Sequence, residues 1–279
     1  MSDPLSGVWS AAVTPLHDDL TVNLDAMVAH HKWLLSNGCD GVAVLGTTGE
    51  GNSFSVKERL DVIAAAASSG ITKGQLLIGT GCCAPTDTIE LTQAALDAGL
   101  TQVLMLPPFY YKGVSEDALF ASFDHIIQKL ADDRLRIVVY DFPLMTGLDI
   151  SVDLLVRLNK AYPNTVVGVK DSSGNWPAMQ AVIQAIPGFR MFAGTEQYLL
   201  ANLQEGGAGC ITATGNATSH LCQLVHAAFL AGDTSGAEAA QEVVTATRLM
   251  LQAHGMVPGM KELMAQNTGD AGWRNMCPP

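Results

Sequence analysis

The sequence predicts an α/β fold, a closed (β/α)8 TIM barrel with extra C-terminal helices, on three observations. Short apolar, β-rich runs alternate with segments of helical spacing, the alternation occurs eight times, and no G-x-G-x-x-G follows the first run. Alternation means parallel strands, because parallel neighbours need a crossover between them. Eight units close a barrel, for which about 250 residues is usual. The missing glycine fingerprint disfavours the runner-up, an open doubly wound sheet.

In order, V-W-S-A-A-V at 8–13 opens the barrel, and 23–37, with His30 and His31 inside, is its first crossover. Predicted strands follow at 41–45, 76–79, 102–106, 136–140, 166–170, 190–193 and 209–213. Helical segments at 56–69, 85–98, 115–130, 151–161, 177–186 and 196–205 separate them. Beyond the eighth strand the pattern is wholly helical, over 220–230, 235–254 and 258–266. Residues 1–219 are therefore expected to form the barrel core, and 220–279 its closing and appended helices. No Pro/Gly/Ser-rich linker makes that second part an independent domain.

The 279 residues carry a net charge of −12, with a pI near 4.8 and a mean hydropathy of +0.22. Nucleic-acid or anionic-membrane binding needs a basic surface that 15 Lys and Arg do not supply. No apolar run nears the roughly 20 residues of a membrane span, and the N-terminus lacks a signal peptide's regions. The expected location is the cytoplasm. The six cysteines show no C-x-x-C pair; reduced, buried thiols are expected there, Cys82-Cys83 being the one vicinal pair.

Barrel active sites form where strands end. Those ends read Thr14-Pro15, Gly46-Thr47-Thr48-Gly49-Glu50, Gly79-Thr80-Gly81, Pro107-Pro108-Phe109-Tyr110-Tyr111, Tyr140-Asp141-Phe142-Pro143, Lys170-Asp171-Ser172-Ser173, Gly194-Thr195-Glu196 and Thr212-Ala213-Thr214-Gly215. Lys170 is the one lysine among them; the other seven stand in polar, turn-like or helical contexts where an ammonium reaches water. A packed barrel interior disfavours the charged ammonium. A neutral amine attacks carbonyls, and the imine formed is an electron sink for a neighbouring bond. The plainer alternatives are an ion pair with Asp171 or a lysine snorkelling to the mouth. Tyr140, ending the adjacent strand, offers a phenol able to pass protons. The G-T-T-G-E turn supplies backbone N–H groups and two hydroxyls suited to a carboxylate.

G-T-T-G-E after the second strand, Y-D-F-P after the fifth and G-V-K-D after the sixth resemble, in order and spacing, the dihydrodipicolinate synthase / N-acetylneuraminate lyase family. The resemblance runs from Gly7-Val8-Trp9-Ser10 to the C-terminal helices. It implies a class I, Schiff-base barrel lyase acting on pyruvate or another 2-oxo acid, without metal or organic cofactor. Lys170 matches the imine-forming lysine and Tyr140 the proton-shuttling tyrosine. Thr47 and Thr48 match the carboxylate-binding pair, with Thr48 also in the proton relay. Tyr111 matches a tyrosine that crosses into a neighbouring subunit's site, implying a homo-oligomer, a dimer of dimers. Ile211 matches a backbone position near bound pyruvate.

One departure bears on substrate. Dihydrodipicolinate synthases resemble Y-N-x-P-x-R-T-G after the fifth strand, with an arginine for the second substrate's carboxylate; here Met145 stands in its place. Methionine cannot replace a bidentate guanidinium. The pattern is more similar to the 2-keto-3-deoxy sugar acid or 4-hydroxy-2-oxoglutarate aldolases, so C–C bond cleavage or formation with pyruvate as partner is expected. The alternatives are 4-hydroxy-tetrahydrodipicolinate synthase and a Schiff-base dehydratase. Phe142, Met145, Thr195, Glu196 and Thr212 are the expected contacts to the rest of the substrate, a mixture suited to a polyol tail or aldehyde. A metal-dependent aldolase is disfavoured, because the seven histidines scatter over helices and loops. A non-catalytic 2-oxo acid binding protein is the reading from another class.

Overall fold

The computed structural model describes residues 5–278. Its strands are β1 (Gly7–Ala11), β2 (Gly41–Val44), β3 (Leu76–Gly79), β4 (Gln102–Met105), β5 (Arg136–Asp141), β6 (Val166–Asp171), β7 (Arg190–Ala193) and β8 (Gly209–Thr212). Each begins within one residue of its predicted start. They follow one another round a closed barrel, with every neighbouring pair parallel.

The crossovers are α1 (Leu24–Ser36), α2 (Val56–Ser68), α3 (Pro85–Asp97), α4 (Glu116–Leu130), α6 (Val152–Ala161), α7 (Trp176–Ala185) and α8 (Leu199–Gln204). A one-turn helix, α5 (Pro143–Thr146), was not expected; Pro143 starts it and Gly147, at φ 63°, stops it. The predicted 196–205 helix divides, its first turn (Glu196–Tyr198) being 3-10. α9 (Gly215–Leu230), α10 (Thr234–Gln252) and α11 (Met256–Thr268) complete the chain. The boundary drawn at 219/220 falls inside α9, which starts directly after β8 and rests against β1.

Side chains alternate across a strand, and β5 shows what that does here. Ile137 and Val139 join the layer beneath the helices, whereas Val138 and Tyr140 fill the lumen with Trp9, Leu77 and Phe192. β6 holds a bulge: Ile137 pairs with Val166 but Val138 pairs with Gly168, so Val167 is extra. One extra residue resets the alternation. Val166 faces the helices, and four residues on Lys170 faces the lumen. Gly168 permits it, because a Cβ there would stand 2.5 Å from the Arg190 carbonyl oxygen.

α11 closes one side of the barrel through Met260, Met264 and Ala265 against Val13 and Trp273. The same helix corrects the expectation that every lysine but Lys170 reaches water. Lys261 is 1% exposed; its ammonium pairs with Glu50 and donates to the Asn275 carbonyl at 2.6 Å. Burial is sustained because the charge is paired and hydrogen-bonded. The cysteines are free, with Cys39, Cys82, Cys210 and Cys222 buried; Cys83 departs from expectation in being exposed. Among the described residues no helix is long and apolar enough to cross a membrane.

Candidate active site

Lys170 and Tyr140 are register partners on β6 and β5. Lys170 is 3% exposed, and its Nζ stands 4.2 Å from the centroid of the Tyr140 ring. Phe142 stacks with that ring at 5.7 Å. Asp171 is not the lysine's counter-ion: it alternates to the other face of β6, and its carboxylate accepts from Ser173 N–H at 2.7 Å and Ser173 Oγ at 2.6 Å. Among the described residues Lys170 has no ion-pair partner. An amine without a counter-ion, beside a phenol, is equipped for carbonyl attack and proton transfer.

The G-T-T-G-E turn comes to this pair from β2. Glu50 N–H donates to Thr47 O at 3.1 Å and Gly51 N–H to Gly46 O at 3.1 Å, leaving the Thr47 and Thr48 N–H groups outside the turn's own bonds. Leu45 and Glu50, at φ 61° and 56°, bracket it with left-handed backbone, a strain of roughly 1–3 kcal/mol each. A Cβ on Gly49 would meet the Ala12 carbonyl at 2.8 Å, while Thr14 Oγ1 donates to the Gly49 carbonyl at 2.7 Å. Thr47 Oγ1 then lies 3.4 Å from the Tyr140 hydroxyl, and Thr48 is buried beside it. Glu50 turns away to hold Lys261 and to accept from Cys277 N–H at 2.8 Å.

Asp141 and Asp171, register partners behind Tyr140 and Lys170, are both buried. Desolvation, then the Asp171 charge, pushes the Asp141 carboxyl up to about 7. Burial raises Asp171 too, against the lowering effect of its Ser173 bonds. Two adjacent buried carboxyls do not both ionise readily.

The other expected residues separate into those the structure brings to this place and those it does not. Met145 lines a cavity at the mouth. Ile211 is in the lumen with Tyr140 and Phe192. Tyr111 is 75% exposed and packs edge-on to Tyr110. Thr195 caps the 3-10 turn by accepting from Gln197 N–H at 3.4 Å. Glu196 and Thr212 are a correction. Thr212 follows Ile211 and therefore faces outward, where it and Thr214 donate to the Glu196 carboxylate. Arg248 of α10 completes the buried knot, its Nη1 3.1 Å from Glu196 Oε2. These side chains hold α10 to β8, and the ion pair leaves Glu196 no open face.

Sequence reasoning missed Asn52, Leu106, Phe109, Val257, Met276 and Cys277. A narrow space beside Tyr140 and Thr47 shares Asn52 and Leu106 with a larger cavity whose wall includes the others. Leu106 is the last residue of a predicted strand and Phe109 stands in the strand-end segment after it, which was a usable signal. Val257 and the tail gave none, being brought there by tertiary contacts. Among the described residues no group of three His, Cys, Asp or Glu side chains gathers in metal-binding range.

Fold and comparisons together define an enzyme, a Schiff-base-forming lyase on a (β/α)8 barrel. The model of the dihydrodipicolinate synthetase family matches residues 4–274, and the chain belongs to that family. It is 34% identical over 264 residues to an uncharacterized DapA-like lyase of Chloroflexus aurantiacus, covering 94% of this chain and 86% of that one. It is 33% identical over 228 residues to the 4-hydroxy-tetrahydrodipicolinate synthase of Rhizobium meliloti, covering 81% and 76%. Among solved structures, the Escherichia coli K12 prophage protein YagE in complex with pyruvate superposes with a TM-score of 0.90 at 26% identity, over 98% of this chain and 92% of that one. Dihydrodipicolinate synthase from Agrobacterium tumefaciens gives a TM-score of 0.88 at 33% identity, also over 98% and 92%.

Proposed function

We propose that the chain is a class I aldolase of 4-hydroxy-2-oxo acids, with pyruvate as one product or substrate and no metal or organic cofactor in the reaction. The observation that carries this reading is the buried Lys170 amine, without a counter-ion, its Nζ 4.2 Å from the centroid of the Tyr140 ring. Lys170 Nζ attacks C2 of the 2-oxo acid, Tyr140 supplies the proton with which the C2 oxygen leaves as water, and the iminium results. The Tyr140 phenolate so formed takes the 4-hydroxyl proton as the C3–C4 bond breaks. The electron pair passes into the iminium as an enamine and the aldehyde departs; protonation at C3 and hydrolysis release pyruvate. Thr47 and Thr48 hold the carboxylate by hydroxyls and the N–H groups that the turn leaves over.

The 2-keto-3-deoxy sugar acids are the polyol members of this substrate class. A dehydratase of the same acids would use the same imine. Pyruvate in the YagE complex supports the 2-oxo acid half of the reading. The names of several relatives favour 4-hydroxy-tetrahydrodipicolinate synthase; Met145, where that reaction requires an arginine, speaks against it. A protein that binds a 2-oxo acid without turnover is disfavoured by the company Lys170, Tyr140 and the turn keep.

Tyr111 is proposed to complete the proton relay in a neighbouring subunit, in a homo-oligomer. Support comes from the exposure of Tyr110 (73%) and Tyr111 (75%) on the loop after β4 and of Leu144 (83%) on α5. Large exposed apolar groups mark association surfaces. Light scattering gives the assembly size.

Borohydride reduction in the presence of pyruvate tests the chemistry. Peptide mass spectrometry is expected to place the reduced adduct on Lys170, with Lys170→Ala unlabelled. An unlabelled Lys170 in the wild-type protein would overturn the mechanism.

A further inference from the structure

The narrow space at Tyr140 opens, through Thr47, Asn52 and Leu106, into a cavity of about 390 Å³. That is the size of a small-molecule site. Three distant parts of the chain build its apolar wall: Leu106 and Phe109 after β4, Met145 of α5, and Val257 of α11 with the Met276–Cys277 tail.

The polar groups on the wall are few and mostly engaged. Glu50 is held by Lys261 and the Cys277 N–H. Thr146 Oγ1 donates toward the Phe142 and Leu148 carbonyls, at 3.0 and 3.1 Å. Thr47 Oγ1 faces the Tyr140 hydroxyl, so uncommitted hydrogen-bonding capacity is left to two neutral side chains, Asn52 and Ser53, both from the β2 side. Among the described residues no cation lines the cavity. Lys112 lies behind it with its ammonium on the Phe109 and Thr146 carbonyls, and Lys261 is paired. A carboxylate placed here would lose hydration without gaining a partner. A polyol would find hydrogen bonds along one side only. An alkyl or aryl group would be covered.

We propose that this cavity receives the aldehyde half of the substrate and selects an uncharged, predominantly apolar group, with Phe109, Met145 and Met276 as its specificity-determining side chains. The inference rests on the Lys170 imine reading and names the substrate class within it. In the condensing direction pyruvate C3 loses one proton as the enamine forms and bonds to the aldehyde carbon. The aldehyde oxygen takes up a proton, giving a 4-hydroxy-2-oxo acid with an alkyl or aryl substituent.

The test begins with borohydride trapping of pyruvate on the wild-type protein. An untrapped Lys170 overturns the imine reading and this inference together. With trapping established, condensation of pyruvate is measured with straight-chain aldehydes from propanal to hexanal, benzaldehyde, glyceraldehyde and aspartate semialdehyde. Expected is a rise in kcat/KM of about fourfold per added methylene, and benzaldehyde ahead of glyceraldehyde and aspartate semialdehyde by about tenfold or more. Met145→Arg, at a position 56% exposed and so tolerant of the change, is expected to shift the ratio of benzaldehyde to aspartate semialdehyde by about tenfold toward the acid. Equal rates, or preference for glyceraldehyde or aspartate semialdehyde with trapping intact, overturn the inference and leave the imine mechanism standing.

Discussion

Lys170 Nζ and the Tyr140 ring face each other across adjacent strands, in register and 4.2 Å apart. The ring and the hydroxyl can be separated experimentally. Tyr140→Phe keeps the aromatic face and its packing on Phe142 but removes the group 3.4 Å from Thr47 Oγ1. Turnover is expected to fall by about 10²–10⁴, with pyruvate still trapped on Lys170, only more slowly. Wild-type turnover in this variant would remove the phenol from the mechanism.

Gly168→Ala addresses how Lys170 is aimed. Its Cβ would press on the Arg190 carbonyl, at a cost on the order of 1–3 kcal/mol. Because the displaced strand carries Lys170, trapping by pyruvate is expected to weaken as well. A melting temperature and adduct yield both equal to wild type would show that β6 accommodates the methyl group.

Glu196→Ala separates a structural role from substrate contact. It leaves Arg248, whose side chain is 14% exposed, without its carboxylate. Breaking a buried pair this way costs about 3–5 kcal/mol, so the denaturant midpoint is expected to drop sharply. KM measured well below the melting temperature is expected to hold. A raised KM with unchanged stability would return Glu196 to the substrate.

The pH dependence of stability follows from Asp141. Its carboxyl is pushed from 3.8 up to about 7, so between those values the folded protein keeps a proton that the unfolded chain releases. The stabilisation is complete below 3.8 and is lost as pH rises through 7. Asp141→Asn abolishes the titration, so its melting temperature relative to wild type is expected to climb from about pH 4 to about pH 7 and then level off. His30 and His31 act oppositely. Burial depresses them from 6.5 to about 4 and about 3, and the stability of keeping them neutral is lost as pH falls below 6.5 toward those values. A difference between variant and wild type that is flat with pH would show that Asp141 ionises normally.

Barrel strands are buried on both faces, so they read as short apolar runs, and all eight stood where those runs are. Facing was less legible. Counting by twos from Val166 puts Gly168 and Lys170 on the face of Val166; the bulge at Val167 reverses this, and nothing in V-V-G-V-K announces it. The same limit explains Glu196 and Thr212. Being at a strand end locates a residue near the mouth without saying whether it points into the lumen or beneath the helices. Lys170, Tyr140 and the threonine turn were legible because their chemistry is unusual for their surroundings. Lys261 and the tail were not, since only the folded chain brings Glu50 to them.

The Glu50 clasp has a practical side. One carboxylate, at the end of the turn carrying Thr47 and Thr48, holds both Lys261 and the Cys277 backbone. A substitution that displaces the backbone at Cys277 would therefore act on Glu50, and through it on the turn. An inactive variant at so remote a position would report on the clasp before it reported on the chemistry.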